Sequence, residues 1–233
     1  VSSLKPTKEL GIGEIMSLSW ELYKKHLTNL VIPFIVSGVI AFTLTHSLPL
    51  VLRPWTAGEA IYIAWALALA LTAIIISIVN LLVAGVVIKY VGDVIEGGSP
   101  TLGSAIGHAT KRMLDLIVAS LLVGIIVSAG LLLLIVPGVI LGIVFMLTVH
   151  VVVLEGRGPV EALARSRRLT SRRWAKAFLL LLIMGVVSLV AGLIPFVGLL
   201  VSIFANPYFT VMLTFFYYSM RAREAPPTPP AQT

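Results

Sequence analysis

Seven basic residues crowd the segment 155–176 against two acidic ones, a local charge of +5. Glu161, Arg165, Arg168 and Arg172 follow one another at spacings of four, three and four, so a helix brings them to one face. Such a face anchors to anionic lipid headgroups, at about 1 kcal/mol per basic residue near the surface. It would also dock an acidic cytoplasmic protein. A basic pair recurs at two other places, Lys24-Lys25 and Lys111-Arg112, matching Arg172-Arg173. A feature repeated three times suits a general membrane role better than one docking site. The docking set is therefore Lys24, Lys25, Lys111, Arg112, Arg165, Arg168, Arg172 and Arg173, with anionic lipid as the expected partner and a protein at the cytoplasmic face as the other.

The remaining polar residues offer less chemistry. Asn80 and Asn206 sit inside long apolar runs, and amides in hydrocarbon need partners, so both are expected to face protein and bond between helices. Pro207 removes a backbone hydrogen bond and frees a carbonyl one turn earlier. Asp115 and Glu155 lie near the inner surface and are expected to pair with the adjacent basic pairs. His26, His46, His108 and His150 are scattered, without metal-ligand spacing. The chain has no cysteine, which removes disulfides, thiolate metal sites and cysteine nucleophiles. No phosphate-binding glycine loop and no Ser-His-Asp set is present. No catalytic, metal or cofactor residue is expected, and the chain reads as a non-enzyme.

The elements that position these residues follow from hydropathy. The chain is 58% hydrophobic and 12% charged, with mean hydropathy +1.05. Soluble chains run about 45–50% apolar and about 25% charged. Six apolar stretches read as membrane spans: 27–48, 60–89, 113–134, 138–154, 174–193 and 197–220. Drawn this way, sixteen of the seventeen Lys and Arg lie on one side and only Arg53 on the other. Cytoplasmic loops hold the Lys/Arg excess, so both termini are expected inside, in the cell membrane. The net charge of +7 belongs to this asymmetry rather than to nucleic-acid binding.

The spans pair into repeats. Glu96-Gly97-Gly98-Ser99-Pro100 and Glu155-Gly156-Arg157-Gly158-Pro159 share a Glu-Gly-x-x-Pro pattern 59 residues apart. Each follows a span and opens a short amphipathic stretch that ends in a basic pair. The first such stretch places Ile15, Leu18 and Leu22 on one face. The second is expected to start with Ser99 as N-cap and Pro100 at the first helical position, with Leu102, Ala105, Ile106 and Ala109 as its apolar face. The third starts at Pro159, and its less charged face of Ala162, Leu163, Ser166 and Leu169 is thin. The expected fold is all-α: six spans as three parallel hairpins, each preceded by an interfacial helix on the cytoplasmic side. Tight outer turns are expected at Val136-Pro137-Gly138 and Ile194-Pro195-Phe196-Val197-Gly198. Gly138 and Gly142 form a GxxxG for close helix approach, and Gly124 and Gly192 belong to similar small-residue patterns. Trp20, Trp55, Trp65, Trp174, Tyr23, Tyr62, Tyr90, Tyr217 and Tyr218 cluster near span ends as an aromatic belt. Residues 1–222 form one domain, and 223–233 a Pro-rich, disordered cytoplasmic tail.

These motifs carry a family resemblance over residues 10–222. The chain resembles the glycerophosphoryl diester phosphodiesterase membrane-domain family and related six-span prokaryotic proteins of unknown function. The matching features are Ile135-Val136-Pro137-Gly138, Val153-Leu154-Glu155-Gly156, Glu161-Ala162-Leu163 with Ser166 and Leu169, Ile194-Pro195-Phe196-Val197-Gly198, and Pro207 with Tyr217-Tyr218. The resemblance implies a fold. The soluble phosphodiesterase domain of fused members is absent from this sequence, so that activity does not carry over. The expected function is a membrane scaffold or accessory subunit that organises lipid or a partner complex. The other reading is a permease-like transport component coupled to a cytosolic partner.

Overall fold

A computed structural model of the protein describes residues 4–52, 60–171, 173–193 and 197–224. Every element among them is an α-helix: α1 (Ile12–Lys25), α2 (Leu27–Leu52), α3 (Ala60–Ile95), α4 (Leu102–Lys111), α5 (Met113–Leu133), α6 (Ile135–Phe145), α7 (Thr148–Glu155), α8 (Pro159–Thr170), α9 (Trp174–Gly192) and α10 (Val197–Glu224). Among the described residues five segments are long and apolar enough to cross a membrane: Leu27–Ser47, Trp65–Ile95, Met113–Leu133, Ile135–Glu155 and Trp174–Gly192. The chain is a multi-pass membrane protein. The expected stretch 197–220 falls within α10, one helix that runs through Pro207 and packs on α1, α2, α3 and α9.

The short helices are built from caps and one-sided burial. Thr101, not Ser99, caps α4: its hydroxyl accepts from the Ser104 N–H at 3.2 Å. Pro100 therefore lies before the helix rather than in its first turn. In α8, Pro159 does occupy the first turn, where its missing N–H costs nothing. Each short helix buries one face: Ile15, Ser19, Leu22 and Tyr23 of α1; Ala105 and Ala109 of α4; Ala162, Leu163, Ser166, Leu169 and Thr170 of α8. Ile106, expected on the apolar face of α4, is 48% exposed.

Burial is uneven along the bundle. At the end that carries α1, α4 and α8, the core is closed by Val87, Val91, Val151, Val152, Met212, Phe215 and Phe216, all 0% exposed. In the other half, large apolar side chains such as Phe42, Leu67, Leu121, Leu132 and Leu189 are more than half exposed. Hydrocarbon, as the surrounding solvent, covers such surface without cost.

The turn between the third and fourth expected spans lies elsewhere than Pro137-Gly138. The break is the single residue Leu134, extended at φ −163° and ψ 151°, and Pro137 sits in the first turn of α6, where proline is tolerated. The close approach there is between Gly130 and Gly138: a Cβ on Gly130 would lie 2.9 Å from the Gly138 Cα. Gly142, Gly124 and Gly192 each have nothing within 4 Å of a built Cβ, so close helix approach does not require glycine at these three positions. The fourth span is itself broken into α6 and α7 at Met146-Leu147. The turn 194–196, Arg53 and the tail 225–233 lie outside the described residues.

Candidate functional site at the charged end

Two glutamates anchor this end. Glu155 closes α7 and Glu96 follows α3, and the residue after each is a glycine in the left-handed region, Gly97 at φ 88° and Gly156 at φ 66°. These are the two Glu-Gly-x-x-Pro segments of the sequence, and each glycine lets the chain turn away from its span as no L side chain does readily. Adjacent residues of α10 reach both glutamates: Tyr217 donates to Glu155 at 2.9 Å, and Tyr218 donates to Glu96 at 3.0 Å. The two rings meet edge to face at 5.4 Å. Tyr217, Tyr218, Tyr90 and Tyr23 are at most 4% exposed, so these four are buried hydrogen-bonding groups rather than belt residues. Trp20 and Trp174 are 50% and 60% exposed, as a belt requires.

Arg165 belongs to this core and not to an open basic face. Its guanidinium pairs with Glu155 at 3.0 Å and with Glu224 at 2.5 Å, and Arg157 closes on Glu155 at 2.6 Å. Burial opposes the charge on Arg165, but the two carboxylates outweigh it and raise its pKa. Glu224 is the last residue of α10, so helix extends past the expected domain limit of 222. The next residue of α8, Ser166, fills the break between α6 and α7. It accepts from the Leu147 N–H at 3.3 Å and donates to the Val144 carbonyl at 2.8 Å. Thr170 donates to the same carbonyl at 3.0 Å. Backbone groups freed in an apolar core need such partners. The sequence places Ser166 on the less charged face of α8 and gives no sign of this role.

The other expected basic residues divide in two. Arg112 pairs with Asp115 at 3.3 Å and lies against Gly156, where an added Cβ would come within 2.8 Å of its Nη2. Arg173 and Lys176 both hold Glu9, at 3.0 and 2.5 Å. Partial burial pushes the Glu9 carboxyl up, but Lys176 and Arg173 bring it below the usual carboxylate range. Lys24, Lys25, Lys111 and Arg168 are exposed, together with Arg167. None of these five has an ion-pair partner among the described residues; Lys24 lies 5.7 Å from the centroid of the Trp20 ring. Arg172 lies outside the described residues.

A half-enclosed cavity of about 510 Å³ opens beside α1, between Glu21, Lys25, His26, Asn29, Tyr90 and Ser99. Asn29 donates to the Tyr90 hydroxyl at 2.8 Å, and that hydroxyl lies 3.0 Å from His26 Nδ1. A neutral ring protonated at Nε2 accepts the Tyr90 proton at Nδ1 while Asn29 donates to the same hydroxyl oxygen. Burial, and then Lys25, lower the His26 pKa in agreement with that.

Asn80 and Asn206 do come together, but not against protein. Both are exposed side chains lining one cleft of about 330 Å³ between α2, α3 and α10, with Ser37 and His46. The expected interhelical bonds are absent among the described residues. His150, 4% exposed and stacked on Tyr217 at 6.3 Å, has no partner for either ring nitrogen among the described residues. His108 meets the Val153 carbonyl at 3.0 Å. Among the described residues no group of three His, Asp or Glu side chains is disposed to hold a metal ion.

No curated protein and no solved structure matches the chain. The model of a family described as Domain of unknown function (DUF7847) matches residues 26–222, from the end of α1 to the last turn of α10, and the chain belongs to that family.

Proposed function

We propose that the protein is a non-enzymatic scaffold or accessory subunit of the cell membrane that gathers anionic lipid at its cytoplasmic face. In this reading α10 is the sixth crossing, the spans form three parallel hairpins, α1, α4 and α8 lie in the inner membrane surface, and both termini are cytoplasmic. The observation that carries it is the set of exposed cations, Lys24, Lys25, Lys111, Arg167 and Arg168, on three helices above a closed apolar core. Anionic lipid on the cytoplasmic leaflet is the partner that such a surface fits. The matching glycine conformations at Gly97 and Gly156 support the repeat. The resemblance to glycerophosphoryl diester phosphodiesterase membrane domains enters for the fold alone.

Purification from native membranes in mild detergent, with identification of bound lipids and proteins, tests this. Enriched anionic lipid is the expected result. A stoichiometric cytosolic protein without lipid enrichment would favour the permease-like reading, for which the Asn80–Asn206 cleft is the one supporting observation.

A further inference from the structure

We infer that the cleft between α2, α3 and α10 is a binding site for a neutral amphiphile, a molecule with one hydroxyl group on an apolar tail. Its depth comes first. Ser37 is ten residues into α2, Asn80 is ten residues before Tyr90, and Asn206 is eleven before Tyr217. At 1.5 Å per residue these are about 15–17 Å from the charged end, half of a ~30 Å hydrocarbon core. Thr45 and His46 line the same cleft and lie about 27–29 Å along α2 from Leu27 by the same helical rise. The cleft therefore runs from the bilayer midplane to the outer edge.

Its chemistry comes second. Neither the Asn80 nor the Asn206 side chain has a hydrogen-bond partner among the described residues. Unbonded carboxamides at the midplane of a membrane are costly, so the cleft must supply what they bond. Pro207 has no N–H for the Ile203 carbonyl, and Ile203 lines the cleft. Amide donors beside an unbonded carbonyl at one depth suit a group that both accepts and donates, which is a hydroxyl. Phe34, Phe42 and Ile203 offer the apolar wall for a tail. The lining holds no Asp, Glu, Lys or Arg among the described residues, so nothing offsets the desolvation of an ion and the ligand is neutral.

The chain has no cysteine, which makes the test direct. Thr45→Cys, in the cleft, and Ser47→Cys, outside it, are compared in reconstituted vesicles for modification by an impermeant thiol reagent. The probes are 1-octanol and n-octane. The expected result is that octanol slows modification at Thr45→Cys several-fold, octane does not, and neither changes Ser47→Cys. Asn80→Leu with Asn206→Leu should abolish the protection, while Asn80→Gln keeps it. Equal protection by octane, no protection by octanol, an equal effect at Ser47→Cys or protection that survives the double leucine change would each overturn the inference. A disulfide-linked dimer through Thr45→Cys would assign the cleft to a second copy of the chain and overturn it as well.

Discussion

The Tyr217 hydroxyl donates to the Glu155 carboxylate across 2.9 Å, and this bond ties α10 to the end of α7. Glu155 is also the carboxylate held by Arg157 and Arg165, so one residue gathers α7, α8 and α10. The Tyr218–Glu96 bond does the same for α3. The last helix thereby locks both Glu-Gly-x-x-Pro segments with neighbouring side chains.

Tyr217→Phe removes the donor and leaves a buried carboxylate short of one bond. Stability in detergent should fall by about 1–3 kcal/mol, the range for hydrogen bonds to charged groups. Tyr218→Phe should act in the same direction. Unfolding by graded denaturant detergent checks both, and an unchanged midpoint for Tyr217→Phe would mean that the bond contributes nothing to the fold.

Gly138 and Gly142 should behave oppositely. A Cβ on Gly138 would lie 2.4 Å from the Leu131 side chain and 2.7 Å from its backbone nitrogen, so Gly138→Ala must push α5 and α6 apart. The loss should be about 1–3 kcal/mol. Gly142 has open space, and Gly142→Ala should be neutral or stabilising by up to about 1 kcal/mol through helix propensity. The same unfolding measurement decides, and equal losses at both positions would contradict the packing.

The His26–Tyr90 pair makes stability depend on pH. The folded-state pKa of His26 lies below its ordinary value, first through burial and then through Lys25. A depressed pKa means that the unfolded chain binds the proton more readily. The contribution is therefore complete above the ordinary value of about 6.5 and is lost as pH falls through the lower folded value. Protonation also ends acceptance at Nδ1 from Tyr90. The thermal midpoint should drop on acidification from neutral pH, and His26→Gln should flatten that slope. An unaltered slope in the variant would remove His26 as the cause.

Much of this architecture was legible because hydropathy and charge act over long stretches. The five apolar crossings, the three short helices and the pairing of Asp115 with Arg112 follow from patterns of many residues, whereas Glu155 pairs with Arg157 and Arg165 and not with a basic pair. The errors came where one contact decides. Thr101 displaced Ser99 as cap because its hydroxyl reaches the Ser104 N–H. Of the Gly138 and Gly142 pair only Gly138 meets the neighbouring helix, at Gly130, since a one-residue turn at Leu134 sets the register of α5 and α6. Arg165 looked like its neighbours on α8, and only the arrival of Glu155 and Glu224 from other helices removes it from the surface. Ser166 carried no signal beyond its place on the less charged face of α8, since the break that it fills between α6 and α7 has no proline or glycine to announce it.

The division of the basic residues tests the proposed lipid role most directly. Two variants are compared with the parent chain for anionic lipid retained through purification: Lys24, Lys25, Lys111, Arg167 and Arg168 all changed to Gln, and Arg165→Gln alone. Exposed charges act on lipid and are screened over about 8–10 Å at moderate salt, whereas a buried ion pair acts on the fold. The fivefold change should strip most of the retained anionic lipid while the thermal midpoint holds, and added salt should strip it from the parent chain. Arg165→Gln should lower the midpoint and leave lipid retention unchanged. Full lipid retention by the fivefold variant would contradict the account.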